Sequence, residues 1–205
     1  MSLTVNEKAA PTTAPIQEGT HTAVCVWVID LGMQYNESFK NSQRKVMLGW
    51  ELPGITIETE DGTHNRIITK RYTASLNEMS NLRRDLSAWR GRNFTEEELE
   101  EFNLRNIVGA SCLLNIINNT KNGKTYTSIQ SIMALPKGMQ KVKGIEEEIV
   151  FDLDESNDED IDCLPKWIAD IVRKSETYKN RPKDGEAIYN PPPFEEIEDD
   201  GDLPF

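Results

Sequence analysis

Cysteine is scarce and unpatterned in this chain: Cys25, Cys112 and Cys163 are odd in number, far apart and without a C-x-x-C pair. That usage excludes a disulfide-built scaffold and fits a reducing compartment. Histidine is scarcer, and His21 and His64 stand too far apart for a zinc ligand set or acid–base work. No apolar run approaches the roughly 20 residues of a membrane span. The first residues lack the basic and apolar regions of a signal peptide. The expectation is a soluble, cytoplasmic protein with no membrane association.

Catalytic signatures are missing as well. Gly123-Lys124-Thr125 imitates the end of a phosphate-binding loop, but Asn118 stands where that loop needs its first glycine. The stretch 152–163 imitates a calcium loop, but Asn157 occupies the sharp-turn glycine position and Cys163 that of the closing glutamate. No G-x-S-x-G or Cys–His pairing is present. Neither an enzyme, a metal site nor a cofactor is expected.

What the chain has in quantity is unevenly placed charge. The net charge is −12. Residues 1–144 carry 17 Lys+Arg and 15 Asp+Glu, net +2, whereas residues 145–205 carry 6 and 20, net −14. A mildly basic body and a strongly acidic arm follow, and that asymmetry suits a surface for an anion beside a separate solvating segment. Three units are therefore expected: a flexible arm 1–15, a folded body 16–144, and an acidic tail 145–205.

Within the body, apolar residues crowd both faces of a long strand starting at Thr20. A turn-rich loop, 32–43, leads to a second strand through Val46, Leu48, Trp50 and Leu52, and residues 66–73 form a third. Ser75 and Glu78 have capping-box spacing, Met79, Leu82, Leu86 and Trp89 recur at helical intervals, and Gly91 supplies a stop. Thr95 and Glu98 open a second, shorter helix. Strands four and five lie near 108–117 and 126–135, across an asparagine-rich turn. This order predicts an all-β-dominated domain: a five-stranded OB-fold barrel with a helix between strands three and four. The tail is predicted to hold an extended spacer at prolines 191–193 and a short amphipathic helix at about 164–175, which fits a structural extension packed on the body as well as a free tail element.

On that barrel ligands lie across strands two and three and between two loops. The first loop and its exit offer Tyr35, Phe39, Lys40, Arg44 and Lys45. Strand three offers Arg66, Lys70, Arg71 and Tyr72, and the last loop Lys121, Lys124 and Tyr126. Cations that track phosphates, mixed with rings that stack on bases, match single-stranded nucleic acid with little sequence preference. Trp27, Trp50 and Trp89 read as core, and Arg83, Arg84, Arg90 and Arg92 as a solvated helix face. Tyr72 fits core and groove equally. With no spare apolar face in view, a monomer is expected.

The stretches QRKVMLGWELPG, TKRYTASLNEMSNLRRDLSAWRG and NGKTYTSIQSIMALPKG, with the ending DGDLPF, resemble phage-encoded single-stranded DNA-binding proteins. The resemblance implies an OB-fold body that coats single-stranded DNA in phage replication, recombination or repair, inside the host cytoplasm. It also implies that Asp200, Asp202, Leu203, Pro204 and Phe205 dock replication or recombination enzymes. Gly201 and Leu203 depart from the Asp and Ile usual in the bacterial tip. Two other functions remain open: an acidic DNA mimic that inhibits host nucleases, and an RNA-binding chaperone of the same fold. A mimic needs its carboxylates on a rigid surface, whereas here the excess falls in the expected tail.

Overall fold

The computed structural model describes residues 14–59 and 61–181. Most of the arm 1–15 and the tip residues Asp200, Asp202, Leu203, Pro204 and Phe205 lie outside the described residues. The strands are β1 (Gly19–Asn36), β2 (Asn41–Thr59), β3 (Gly62–Thr73), β4 (Ser111–Lys121), β5 (Lys124–Met133) and the short β6 (Ile149–Phe151). The helices are α1 (Asn81–Arg90), α2 (Glu96–Glu100), α3 (Asp158–Cys163), α4 (Lys166–Lys174) and α5 (Glu176–Lys179).

Five antiparallel strands make one curled sheet, a half-barrel in the order β3-β2-β1-β4-β5. The curl has local causes. Register shifts at Cys25/Trp27 and Asp30/Gly32 bend β1, and another at Leu52/Thr56 bends β2 against β3. Each bulge adds a residue to one strand and strengthens its twist. β1 thereby gives residues 19–24 to β4 and residues 24–36 to β2. At the β4–β5 turn, Asn122 and Gly123 both have positive φ, 54° and 72°, the backbone that a tight two-residue hairpin requires.

The concave side holds Cys25, Leu48, Trp50, Ile68, Tyr72, Cys112 and Leu114, closed by Leu82, Leu86 and Trp89 of α1. Trp89 donates from Nε1 to the Ser111 carbonyl at 3.0 Å, and its ring lies 5.9 Å from that of Trp50. Burial pushes the Cys25 thiol up to about 12, so it is an inert core residue.

Two expectations need correction. α1 begins at Asn81, not just after Ser75, because Ser80 is its N-cap and accepts from the Arg83 N–H. Ser75 instead accepts from Asn77 N at 3.1 Å, a local turn that competes with a capping box. Met79 is therefore outside the helix and 90% exposed.

The larger correction concerns residues 145–181: the expected helix is present as α4 and packs on the body, and the acidic stretch before it is packed structure too, rather than solvated tail. β6 pairs in parallel with β1 at Trp27, Val28 and Ile29, on the edge that β4 leaves free. Phe151, Leu153, Ile161, Leu164, Ile168, Ala169 and Val172 then cover Ile29, Leu31 and Met47 on the convex side of the sheet. The buried carboxylate of Glu51 accepts from the N–H groups of Ile145 and Glu146 and from the Asn65 amide at 2.7 Å, which fastens the start of the layer. Arg105 binds Asp152 and Glu155 further along. Twelve carboxylates in the segment hid seven apolar anchors, which find a surface only because β1 is apolar on both faces.

Gly32 is where the layer comes closest to the sheet. Its φ is +71°, and a Cβ there would stand 2.6 Å from Leu153 Cδ2 and 2.9 Å from Ser175 Oγ. Gly32→Ala should destabilise the fold by about 1–3 kcal/mol, the range for overpacking a filled core. Urea melts measure it, and an unchanged midpoint would mean the layer is not packed against β1.

Candidate nucleic-acid interface

β3 runs along the margin of the sheet, with β2 as its one ladder partner among the described residues. Beside its C-terminal half opens a groove of about 890 Å³, walled by the end of β1, by β2, by the β3–α1 connection and by Ile171 of α4. The groove takes residues from both sides of β3, because it opens at the margin of the sheet. Ile68, Lys70 and Tyr72 share one side of β3, while Thr69, Arg71 and Thr73 share the other and pair across to Gly49, Met47 and Lys45.

Five of the twelve expected residues meet there: Tyr35, Lys45, Lys70, Arg71 and Tyr72. Their states differ. Tyr35 is 57% exposed. The Lys45 ammonium donates to Gln43 Oε1 at 2.8 Å and Thr73 Oγ1 at 2.7 Å. Both acceptors are neutral, so the positive charge of Lys45 is held in place with no carboxylate partner among the described residues. Arg71 is exposed and has no carboxylate partner among the described residues. Lys70 is spent on Asp85, at 2.7 Å.

Tyr72 is a core residue and offers no face to a base. It is 3% exposed, and its hydroxyl donates to Asp85 Oδ2 at 3.0 Å. Burial, reinforced by that carboxylate, pushes its phenol well above the ordinary range.

Phe39 and Lys40 occupy the turn that joins β1 to β2, which is four residues long and not twelve because the strands extend to Asn36 and Asn41. Asn36 Oδ1 accepts from the N–H groups of Ser38 and Phe39 and shapes the turn. Phe39 is left 77% exposed. Such a ring has nothing to stabilise it in the turn and is free to stack.

Arg44 leaves the set. Its guanidinium binds Asp30 in a fork at 3.2 and 2.5 Å and Asp154 at 2.6 Å. The bond to Asp30 comes first among the causes that raise its affinity for the proton. Arg44 is therefore a clamp between the sheet and the 145–181 layer, not a phosphate contact.

The remaining residues gather at the other end of β3. Arg66 donates to the Ala14 carbonyl. Residues 14–18 then cross to the β4–β5 hairpin, where Ile16 N reaches Thr127 Oγ1 at 3.3 Å and Asn118 N reaches Glu18 Oε1 at 2.7 Å. That hairpin carries Lys121, Lys124 and Tyr126 on its exposed side, Tyr126 at 53%. From Arg71 to Arg66 the strand covers roughly 17 Å at about 3.3 Å per residue. The expected residues thus fall into two clusters, one at each end of the β3 margin.

Sequence reasoning missed the groove's far wall, built by Ser75, Asn77, Met79, Ser80 and Asn81. The signal was present in the Ser-Leu-Asn-Glu-Met-Ser run, whose turn formers shorten the helix. Among the described residues no group of three or more His, Cys, Asp or Glu is placed to hold a metal, and no helix is long and apolar enough to cross a membrane. No protein-family model matches this sequence, and no match was found among the curated proteins.

Proposed function

We propose that this chain binds single-stranded DNA with little sequence preference, on an OB-fold body. The strand order β3-β2-β1-β4-β5, with α1 inserted between β3 and β4, is compatible with the five-stranded, partly open barrel of that fold. One observation carries the reading. The groove beside β3 joins an exposed ring, Tyr35, to two cations with no carboxylate partner among the described residues, Lys45 and Arg71, with the bare ring of Phe39 in the adjoining turn. Rings stack on any base, and cations hold the phosphates. The resemblance noted above adds a role in phage replication, recombination or repair, with Asp200, Asp202, Leu203, Pro204 and Phe205 docking partner enzymes. No catalytic step belongs to this reading.

Titration of the whole chain with oligothymidylate and with duplex DNA, across a range of salt, tests it. Single-strand binding should exceed duplex binding, and its logarithm should fall linearly with the logarithm of salt, by about 0.7 per phosphate contact. Equal affinity for the two forms would reject the reading, and tighter binding to RNA of the same length would move the function to RNA.

One finding favours a second reading, the acidic DNA mimic. Residues 145–181 carry twelve acidic and five basic side chains, net −7, on a packed layer. Glu147, Glu148, Asp152, Glu155 and Asp160 line a cleft of about 530 Å³ there. A mimic would inhibit a nuclease without binding DNA, so the same titration separates the two readings.

A further inference from the structure

A second groove, of about 800 Å³, lies over the outward face of α1, lined by Glu78, Arg83, Arg84, Ala88, Gly91 and Arg92 among others. It is connected to the β3 groove by the helix itself. Asn81, Arg84 and Ala88 are all exposed and stand three and seven positions along α1, so they form one stripe on its surface. Asn81 lines the β3 groove, while Arg84 and Ala88 line the α1 groove.

The charges along the stripe are not balanced. Arg83 donates to the Leu76 carbonyl at 3.3 Å, a neutral acceptor that leaves its charge intact. Arg84 keeps 69% of its side chain exposed and only approaches Asp85, at 3.5 Å. Asp85 already holds Lys70 and Tyr72, so two cations share one carboxylate. A solvated face selected for helix stability would carry the opposite sign, since acidic residues are favoured in a first turn and α1 has none there. Arg92 is different: Glu98 takes it at 2.9 and 2.6 Å, and α2 adds Glu96, Glu97 and Glu100. Glu78, just before the helix, offsets one of the two charges of Arg83 and Arg84, so the first half of α1 keeps a net positive charge while the region beyond its end is acidic.

We infer that a bound single strand leaves the β3 groove over Asn81 and lays its phosphates on Arg83 and Arg84, making the α1 face a second phosphate-binding surface for the same ligand. The inference rests on the single-strand reading above. A nucleic-acid backbone fits better than an acidic peptide for two reasons. The stripe continues a groove that already offers rings to bases. Between its cations it presents only Ser87, Ala88 and Gly91, with Phe94 buried at 8%, so nothing there receives a peptide's apolar anchor.

The test uses the whole chain with oligothymidylates of about 4 and about 16 nucleotides, the span of site sizes for one such barrel. Replacing both arginines, Arg83→Gln with Arg84→Gln, should lower the salt slope on the long strand by about 1.4, at about 0.7 per lost phosphate contact. The short strand, which fills only the β3 groove, should keep its affinity and slope. Arg84→Gln alone, at an exposed position, should give about half the change with an unaltered melting temperature, and Arg84→Lys should restore the slope. No change on either length, or an equal change on both, overturns the inference while leaving single-strand binding intact. An unchanged slope with lost binding of a synthetic peptide of residues 195–205 makes the surface a peptide dock and overturns it too. Failure of the unaltered protein to bind either strand removes the single-strand reading itself.

Discussion

Ending the chain after Gly144 is expected to leave a protein that does not hold its fold, whereas ending it after Arg181 leaves the fold intact. The first cut strips the layer that covers Ile29, Leu31 and Met47, each at 0–1% exposure. Opening three such side chains to water costs about 1.5–3 kcal/mol apiece, against a total stability of about 5–15 kcal/mol for an ordinary domain. It also removes the N–H partners of the buried Glu51 carboxylate and the Asp154 partner of Arg44. Finally it bares the edge of β1 at Trp27, Val28 and Ile29, where β6 pairs, and an open apolar edge invites aggregation. Solubility and urea melts of the two truncations decide the matter, and a soluble protein ending at Gly144 with a cooperative, unchanged melt would refute it. The cut after Arg181 serves a second purpose. It removes eight acidic residues and one basic one, net −7, and spares every described element. If that arm competes with DNA for the cations of the groove, single-strand affinity rises at low salt and the gain fades as salt screens it. Unchanged affinity at low salt rejects the competition.

Replacing Tyr35 and Phe39 together by alanine should weaken single-strand binding by about 2–6 kcal/mol, at about 1–3 kcal/mol for each stacked base. That is roughly 30-fold to more than 10,000-fold in Kd. Stability should move by less than about 0.5 kcal/mol, because both rings are exposed and support no core. This split between binding and stability is what distinguishes a stacking ring from a structural one. Fluorescence titration with oligothymidylate beside a thermal melt measures both. Wild-type affinity in the double variant would mean that bases do not stack there, and the groove would lose its role.

Much of the body was legible because its signals are local. Alternation set the strands, Gly91 set the end of α1, and Asn122-Gly123 set the hairpin turn. The start of α1 was misplaced because Ser75, Asn77 and Ser80 compete for the same backbone groups, and only the folded geometry shows that Ser80 caps the helix. Tyr35 and Phe39 were readable as exposed rings because the polar stretch 32–43 offers little apolar surface to bury them, although Tyr35 proves to stand at the end of β1 rather than in the turn. Arg44 was not readable as a clamp, since its partners lie 14 residues before it and 110 after it. Tyr72 likewise depends on Asp85, which reaches it only once α1 folds over β3.

The sequence by itself determined the strand-rich body, the placement of charge and the residue types that could serve a strand of nucleic acid. It even held the clue to the second layer, because a strand apolar on both faces requires cover on both sides. Only the tertiary structure decided which segment supplies that cover. It also sorted the cations into those neutralised by carboxylates, Arg44 and Lys70, and those with no carboxylate partner among the described residues, Lys45 and Arg71. The physical reason is the same in each case: burial and ion pairing are set by partners far apart in the chain, and composition and periodicity do not record which distant residues will meet.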